Sequence, residues 1–145
     1  MITFETNIRI KRPIEEVFAF VSDPLNFPRW NSAVEAVRKT SAAENGLPST
    51  YSMERQLPTG RAVNQLEVVV SRRPREFAIR TTAGPTPFHY RYHFSGKQGE
   101  TIVRLDAEVE LSGPAAILPA IARRLVKSGV DDNLATLKQI HESGA

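Results

Sequence analysis

A chain of 145 residues, 41% hydrophobic and 24% charged, is long enough to bury one sizeable core and is expected to form a single domain over residues 1–145. Its 19 basic and 16 acidic residues leave a net charge of +3, and no aromatic residues interleave with the basic groups Arg72, Arg73 and Arg75 or Arg123, Arg124 and Lys127, which argues against a nucleic-acid partner. With no cysteine, three histidines (His89, His93 and His141) and no window of ~18 apolar residues, the expectation is a cytoplasmic protein with no metal, no cofactor and no stable membrane insertion.

Ile2, Phe4, Thr6, Ile8 and Ile10 alternate with Thr3, Glu5, Asn7 and Arg9, the period of a half-buried strand. At Pro13 the pattern changes. Pro13 suits a first helical position, Glu15 and Glu16 set negative charge against the helix's positive end, and Ile14, Val17, Phe18 and Val21 recur at i, i+3, i+4 and i+7. Asp23 before Pro24 reads as a new N-cap and a new first helical residue, so a second short helix runs on towards Pro28-Arg29-Trp30-Asn31.

Val34 to Thr40 reads as a second strand, ended by a loop through Glu44-Asn45-Gly46-Leu47-Pro48. A meander follows, with strands at Thr50 to Leu57, Arg61 to Arg72, Glu76 to Thr82, Phe88 to Ser95 and Thr101 to Leu111. Turn signals separate them at Pro58-Thr59-Gly60, Arg73-Pro74, Gly84-Pro85 and Gly96 to Gly99. Such short connections favour antiparallel neighbours. From Pro114 to about Glu142 the chain reads as one long helix. Leu118, Ala122, Leu125, Val126, Gly129, Asn133, Leu137 and Ile140 form a broad stripe on it, with Ile117 and Ile121 outside, and Gly129 marks close packing or a bend.

Alternation assigns each strand an inner face. The third strand turns Tyr51, Met53, Arg55 and Leu57 inward, the fourth Asn64, Leu66, Val68 and Val70, and the fifth Phe77, Ile79 and Thr81. The sixth contributes Phe88, Tyr90, Tyr92 and Phe94, and the seventh Val103, Leu105, Ala107, Val109 and Leu111. No Asp, Glu or His falls in these inner registers; His89, His93, Asp106 and Glu108 point outward. General acid–base chemistry therefore has no visible carboxylate pair to work with. The inner set has the makeup of a mostly apolar ligand pocket with a few orienting groups. Its expected residues are Trp30, Tyr51, Met53, Arg55, Asn64, Leu66, Val68, Phe77, Ile79, Phe88, Tyr90, Tyr92, Leu105, Val126 and Asn133. Arg55 lacks an obvious counter-charge; a ligand carboxylate gripped by the planar fork, an acid such as Asp131 or Asp132, or water at the rim are the candidate partners.

Ile8 to Val21 with its run Pro13-Ile14-Glu15-Glu16-Val17-Phe18, then Asp23, Pro28 and Trp30-Asn31, and finally Leu134 to Ile140 containing Leu137-Lys138, resemble the SRPBCC superfamily, also called START/Bet v 1-like, and within it polyketide cyclase/dehydrase-like bacterial proteins. The resemblance covers the whole chain in element order. It implies an α+β helix-grip fold: a curved seven-stranded antiparallel sheet wrapped round a long C-terminal helix, with two short helices between the first and second strands and a cavity between sheet and long helix. It implies functions from lipid, hormone or polyketide binding to cyclisation and co-chaperone activity, with no shared catalytic motif, so no catalytic residue is assigned.

The expected function is non-covalent binding of a small hydrophobic or amphipathic, lipid- or polyketide-like molecule by a monomer or weak homodimer. A polyketide cyclase/aromatase or dehydratase-like enzyme and a co-chaperone-like interaction module are the alternatives.

Overall fold

The computed structural model describes residues 1–41, 48–57, 60–111 and 118–143. Seven strands form one sheet: β1 (Ile2–Ile10), β2 (Val34–Lys39), β3 (Ser49–Leu57), β4 (Gly60–Arg72), β5 (Glu76–Ala83), β6 (Phe88–Lys97) and β7 (Glu100–Val109). Their spatial order is β1-β7-β6-β5-β4-β3-β2, and every neighbouring pair is antiparallel. Strands consecutive in the chain as β1 and β2 therefore occupy opposite edges. The helical run between them links the two edges, α1 (Ile14–Val21) touching β6 and β7, and α2 (Phe27–Trp30) touching β2 and the long helix α3 (Pro119–Ser143). This is the helix-grip architecture. No helix of the described residues is long and apolar enough to cross a membrane.

The register slips between Val34 and Ala36 on β2, and twice on β4, at Gln65/Leu66 and Val68/Val70. Each slip bends its strand, which curves the sheet around α3. Inner-face alternation holds along β1 and β7, where Ile2, Thr6 and Ile10 pair with Val109, Leu105 and Thr101 and all six are buried. Ala78, which strict alternation turns outward, is also buried and pairs with Val70 beside the second slip.

Three details depart from the sequence expectation. Pro13 is not the first helical residue but the extended N-cap of α1, with ψ 146°; a proline is as well suited there, since it needs no partner for an N–H. Asp23 does cap a new helical segment, its carboxylate accepting from Leu25 N, but the segment is a 3-10 turn (Pro24–Asn26) that runs directly into α2. On α3 the buried positions are Leu134, Leu137 and His141, with Val126, Val130 and Ile140 packed beside them. Leu118 and Leu125, expected in the stripe, are 59% and 69% exposed. The helix meets the core chiefly through its C-terminal half, so an average stripe over all its turns assigns too much of the N-terminal half to it. Ile121 is exposed, whereas Ile117 lies outside the described residues, as do 42–47 of the predicted loop and Pro58-Thr59.

Candidate functional site

A cavity of about 180 Å³ lies between α2 and the loop after it, α3, and the inner faces of β3, β5 and β6. α2 supplies Phe27 and Trp30, the loop after it Asn31 and Ala33, and α3 supplies Val126, Gly129, Val130 and Asn133. The sheet supplies Met53 and Arg55 from β3, Ile79 from β5, and Phe88, Tyr90 and Tyr92 from β6. Gly129 both lines the cavity and is exposed, which places an opening along α3. A Cβ built there meets nothing within 4 Å, so of the two readings of this glycine, close packing and a bend, the first is removed.

Of the residues expected from the sequence, Trp30, Met53, Arg55, Ile79, Phe88, Tyr90, Tyr92, Val126 and Asn133 are thus brought together. Tyr51, Asn64, Leu66, Val68, Phe77 and Leu105 face the same side of the sheet and are buried, but do not line the cavity. Alternation identifies a face; which part of it stays uncovered depends on where the helices sit. Phe27, Asn31, Ala33, Gly129 and Val130 are lining residues that the strand registers do not reveal. Phe27 and Asn31 lie within one turn of Trp30, and Val130 lies one turn beyond Val126, so helical spacing from the expected residues is the signal that finds them.

The aromatic wall is continuous. Trp30 meets Phe27 and Tyr92 edge to face at 5.9 and 6.4 Å between centroids, Tyr92 stacks on Phe77 at 6.0 Å, and Phe88 and Tyr90 lie 4.5 Å apart. Such contacts fix ring orientation as well as burying area. Trp30 Nε1 is buried with no hydrogen-bond partner among the described residues. Asn133 Oδ1 accepts from Ser32 N at 3.2 Å and so ties α3 to the loop after α2.

Arg55 is the charged member of the lining. Its Nε donates to Asn64 Oδ1 at 2.8 Å, and its Nη2 donates to Pro85 O at 2.9 Å and to Thr86 O at 3.4 Å. Its guanidinium carbon lies 5.6 Å from the centre of the Phe88 ring. Asn64 Nδ2 in turn donates to Ala83 O and Pro85 O, at 3.3 and 2.8 Å. Arg55 is therefore moored to the β5–β6 turn by neutral oxygens. This corrects the expected partners in one respect: Asp131 is held elsewhere, accepting from Thr6 Oγ1 and from Lys127 Nζ.

Burial pulls the Arg55 pKa down from its ordinary value, an effect that nearby Tyr90 opposes. An arginine remains charged regardless. Burial pushes Tyr90 up to about 12 against the pull of Arg55, and raises Tyr92 further still. Both phenols are accordingly neutral donors at physiological pH. The lining contains no Asp, Glu or His, and among the described residues no cluster of such groups could hold a metal.

Residues 1–142 match the family described as polyketide cyclase / dehydrase and lipid transport. No curated protein matches the chain in sequence. Among solved structures, a START superfamily protein from Mycobacterium smegmatis superposes with a TM-score of 0.83 at 16% identity, over 99% of each chain. A protein from Thermus thermophilus gives 0.82 at 16% identity, again over 99% of each. The di-domain ARO/CYC StfQ from the steffimycin biosynthetic pathway gives 0.77 at 13% identity, covering 98% of this chain and 51% of its own. At these identities the likeness is one of fold.

Proposed function

From the premise that the chain belongs to the polyketide cyclase / dehydrase and lipid transport family, we propose that it binds one small hydrophobic or amphipathic molecule, non-covalently, in the cavity between α3 and the sheet. The observation that carries this reading is the lining itself: a continuous aromatic and aliphatic wall with one positive charge and two phenols set into it, and no acid–base pair. Apolar enclosure supplies most of the affinity at about 25 cal/mol per Å² removed from water, while the polar groups orient the occupant.

Size narrows the occupant. A cavity of about 150 Å³ lined by apolar side chains accepts benzene, and drug-sized sites run from about 300 Å³ upward. At about 180 Å³ the cavity itself takes a single ring and its substituents, and any longer occupant extends through the opening along α3. Similar folds include two di-domain ARO/CYC proteins, which brings a cyclase reading to this chain by analogy of fold. Binding is favoured because the lining offers orientation and a fixed charge without a carboxylate or imidazole to move protons.

The single tryptophan, Trp30, stands in the wall and reports occupancy. Titration with single-ring probes should give saturable change in its fluorescence, and Val126→Phe, which fills the cavity from α3, should abolish the response while the protein stays folded. A linear, unsaturable signal, or one unaffected by Val126→Phe, would overturn the proposal.

A further inference from the structure

We infer that the occupant is a single-ring molecule bearing one acidic hydroxyl, a phenol or enol, held as its oxyanion by Arg55 Nη1 with the Tyr90 and Tyr92 hydroxyls as further donors. This rests on the binding reading above and specifies its ligand class.

The first ground is charge. Arg55 is half-buried beside the cavity, its moorings are one amide oxygen and two main-chain carbonyls, and among the described residues no carboxylate pairs with it. A cation in that setting favours an anionic oxygen in the space next to it, because removal from water strengthens the attraction between opposite charges.

The second ground is geometry. A guanidinium grips a carboxylate with two parallel N–H bonds along one of two edges, the Nε/Nη2 side or the Nη1/Nη2 end. Both edges include Nη2, and Nη2 is committed to Pro85 O and Thr86 O. Nε is committed to Asn64 Oδ1 as well. The fork is thereby closed to bidentate recognition of a carboxylate, one of the three candidate partners read from the sequence. Nη1 alone lacks a hydrogen-bond partner among the described residues, so the free donors sit on one nitrogen and offer no two-nitrogen fork.

The third ground is the pair of phenols in the same lining, of which Tyr90 is near enough to Arg55 for each to feel the other's charge. Tyr90 and Tyr92 line the same cavity, and among the described residues neither hydroxyl has a hydrogen-bond partner. Both hold their protons far above neutral pH, so towards an oxyanion they can act as donors. The volume admits one ring, whose faces meet Trp30, Phe88 and Ile79. One ring carrying one anionic oxygen satisfies both the apolar wall and the single free donor edge.

The test uses p-nitrophenol, whose phenol and phenolate forms differ in visible colour, alongside p-nitrotoluene and p-nitrobenzoate as ring analogues without the hydroxyl and with a carboxylate. The full-length protein should draw p-nitrophenol into its phenolate colour at a pH where the free compound is mostly neutral, lowering its apparent pKa by about one unit. It should bind p-nitrophenol about tenfold or more tightly than either analogue. Tyr92→Phe, which keeps the ring contacts, should reduce the colour shift. Equal binding of p-nitrotoluene with no colour shift would overturn the inference and leave the cavity reading standing, and tighter binding of p-nitrobenzoate would replace the hydroxyl with a carboxylate. Failure of all three to saturate the Trp30 signal would overturn both.

Discussion

Arg55 and Asn64 form one structural unit across β3 and β4. Arg55 stands opposite Ala62 in the ladder and reaches its diagonal neighbour Asn64, donating from Nε to Oδ1 at 2.8 Å. Asn64 is 0% exposed, and its amide nitrogen spans to the carbonyls of Ala83 and Pro85. The asparagine thus does two jobs: it satisfies the β5–β6 turn, and it aims the guanidinium so that Nη1 remains available.

Replacing Asn64 by leucine keeps roughly the same volume and removes every one of these bonds. It leaves Arg55 Nε and Ala83 O without the amide, while Pro85 O keeps its bond from Arg55 Nη2, so a loss of about 1–3 kcal/mol is expected from urea unfolding. A loss under about 0.5 kcal/mol would show that water replaces the amide without cost.

Gly84 sits beside the same unit with φ +107°, and a Cβ there would stand 2.4 Å from Val63 O and 2.7 Å from Asn64 Nδ2. Gly84→Ala must shift backbone or displace the amide, and an expected loss of more than about 2 kcal/mol follows from strain and broken bonds together. Gly99→Ala is the control: its φ is +77°, but nothing lies within 4 Å of the new methyl, so only the backbone cost of about 1 kcal/mol applies. Equal losses at the two positions would remove the steric part of the argument.

The strands and their faces were legible because period-two alternation persists from Ile2 to Ile10 and from Thr101 to Val109, and a sheet with one buried face enforces it. The cavity was legible only in part. Tyr92 and Leu105 are equivalent by alternation, being cross-strand partners, yet Tyr92 lines the space and Leu105 is packed in the core. That difference is made by α2 and α3, whose positions depend on long-range contacts such as Ser32 with Asn133 and Thr6 with Asp131. His141 illustrates the same limit: one histidine near a C-terminus has no pattern of its own, but here it is buried, bonded to Leu137 O at 3.0 Å and set edge to face against Phe20. The partners of Arg55 were illegible for a further reason, since main-chain carbonyls of a turn carry no sequence signature.

Gly129→Ala separates the two costs of a helical glycine. The methyl meets open space, so the change should raise stability by about 1 kcal/mol through helix propensity alone. Thermal unfolding checks it; a lower melting temperature would mean that the glycine is needed for the path of α3.

All three tyrosines are shifted in the same direction. Burial raises Tyr51 above 10.0, assisted by the charge of Asp23, raises Tyr90 to about 12 and raises Tyr92 further. The chain has only these three, so the folded protein contains no phenol that titrates at the ordinary value. Phenolate absorbance should stay flat as the pH passes 10 and then rise together with alkaline unfolding. The sign follows from linkage: the unfolded phenols ionise near 10 and the folded ones do not, so stability is intact below that pH and declines as the pH climbs towards the folded values. A reversible step near pH 10 with the fold intact would show that at least one hydroxyl is in open water.

Asp131 gives the opposite pH dependence and concerns the helix over the cavity. It lies on α3 between the lining residues Val130 and Asn133, accepting from Thr6 Oγ1 on β1 and from Lys127 Nζ at 2.9 Å. Burial pushes its pKa up, but the two hydrogen bonds outweigh burial and hold it below 3.8. A carboxylate depressed in the folded state contributes stability above its unfolded pKa and loses it as the pH falls through the folded one. Asp131→Asn retains an acceptor for Thr6 and removes the charge facing Lys127. At pH 7 the variant should therefore be less stable than the parent, and at acid pH, once the parent carboxyl has taken up its proton, the gap should close. A gap of the same size at both pH values would mean that shape, and not charge, sets what Asp131 contributes to fastening α3 against β1.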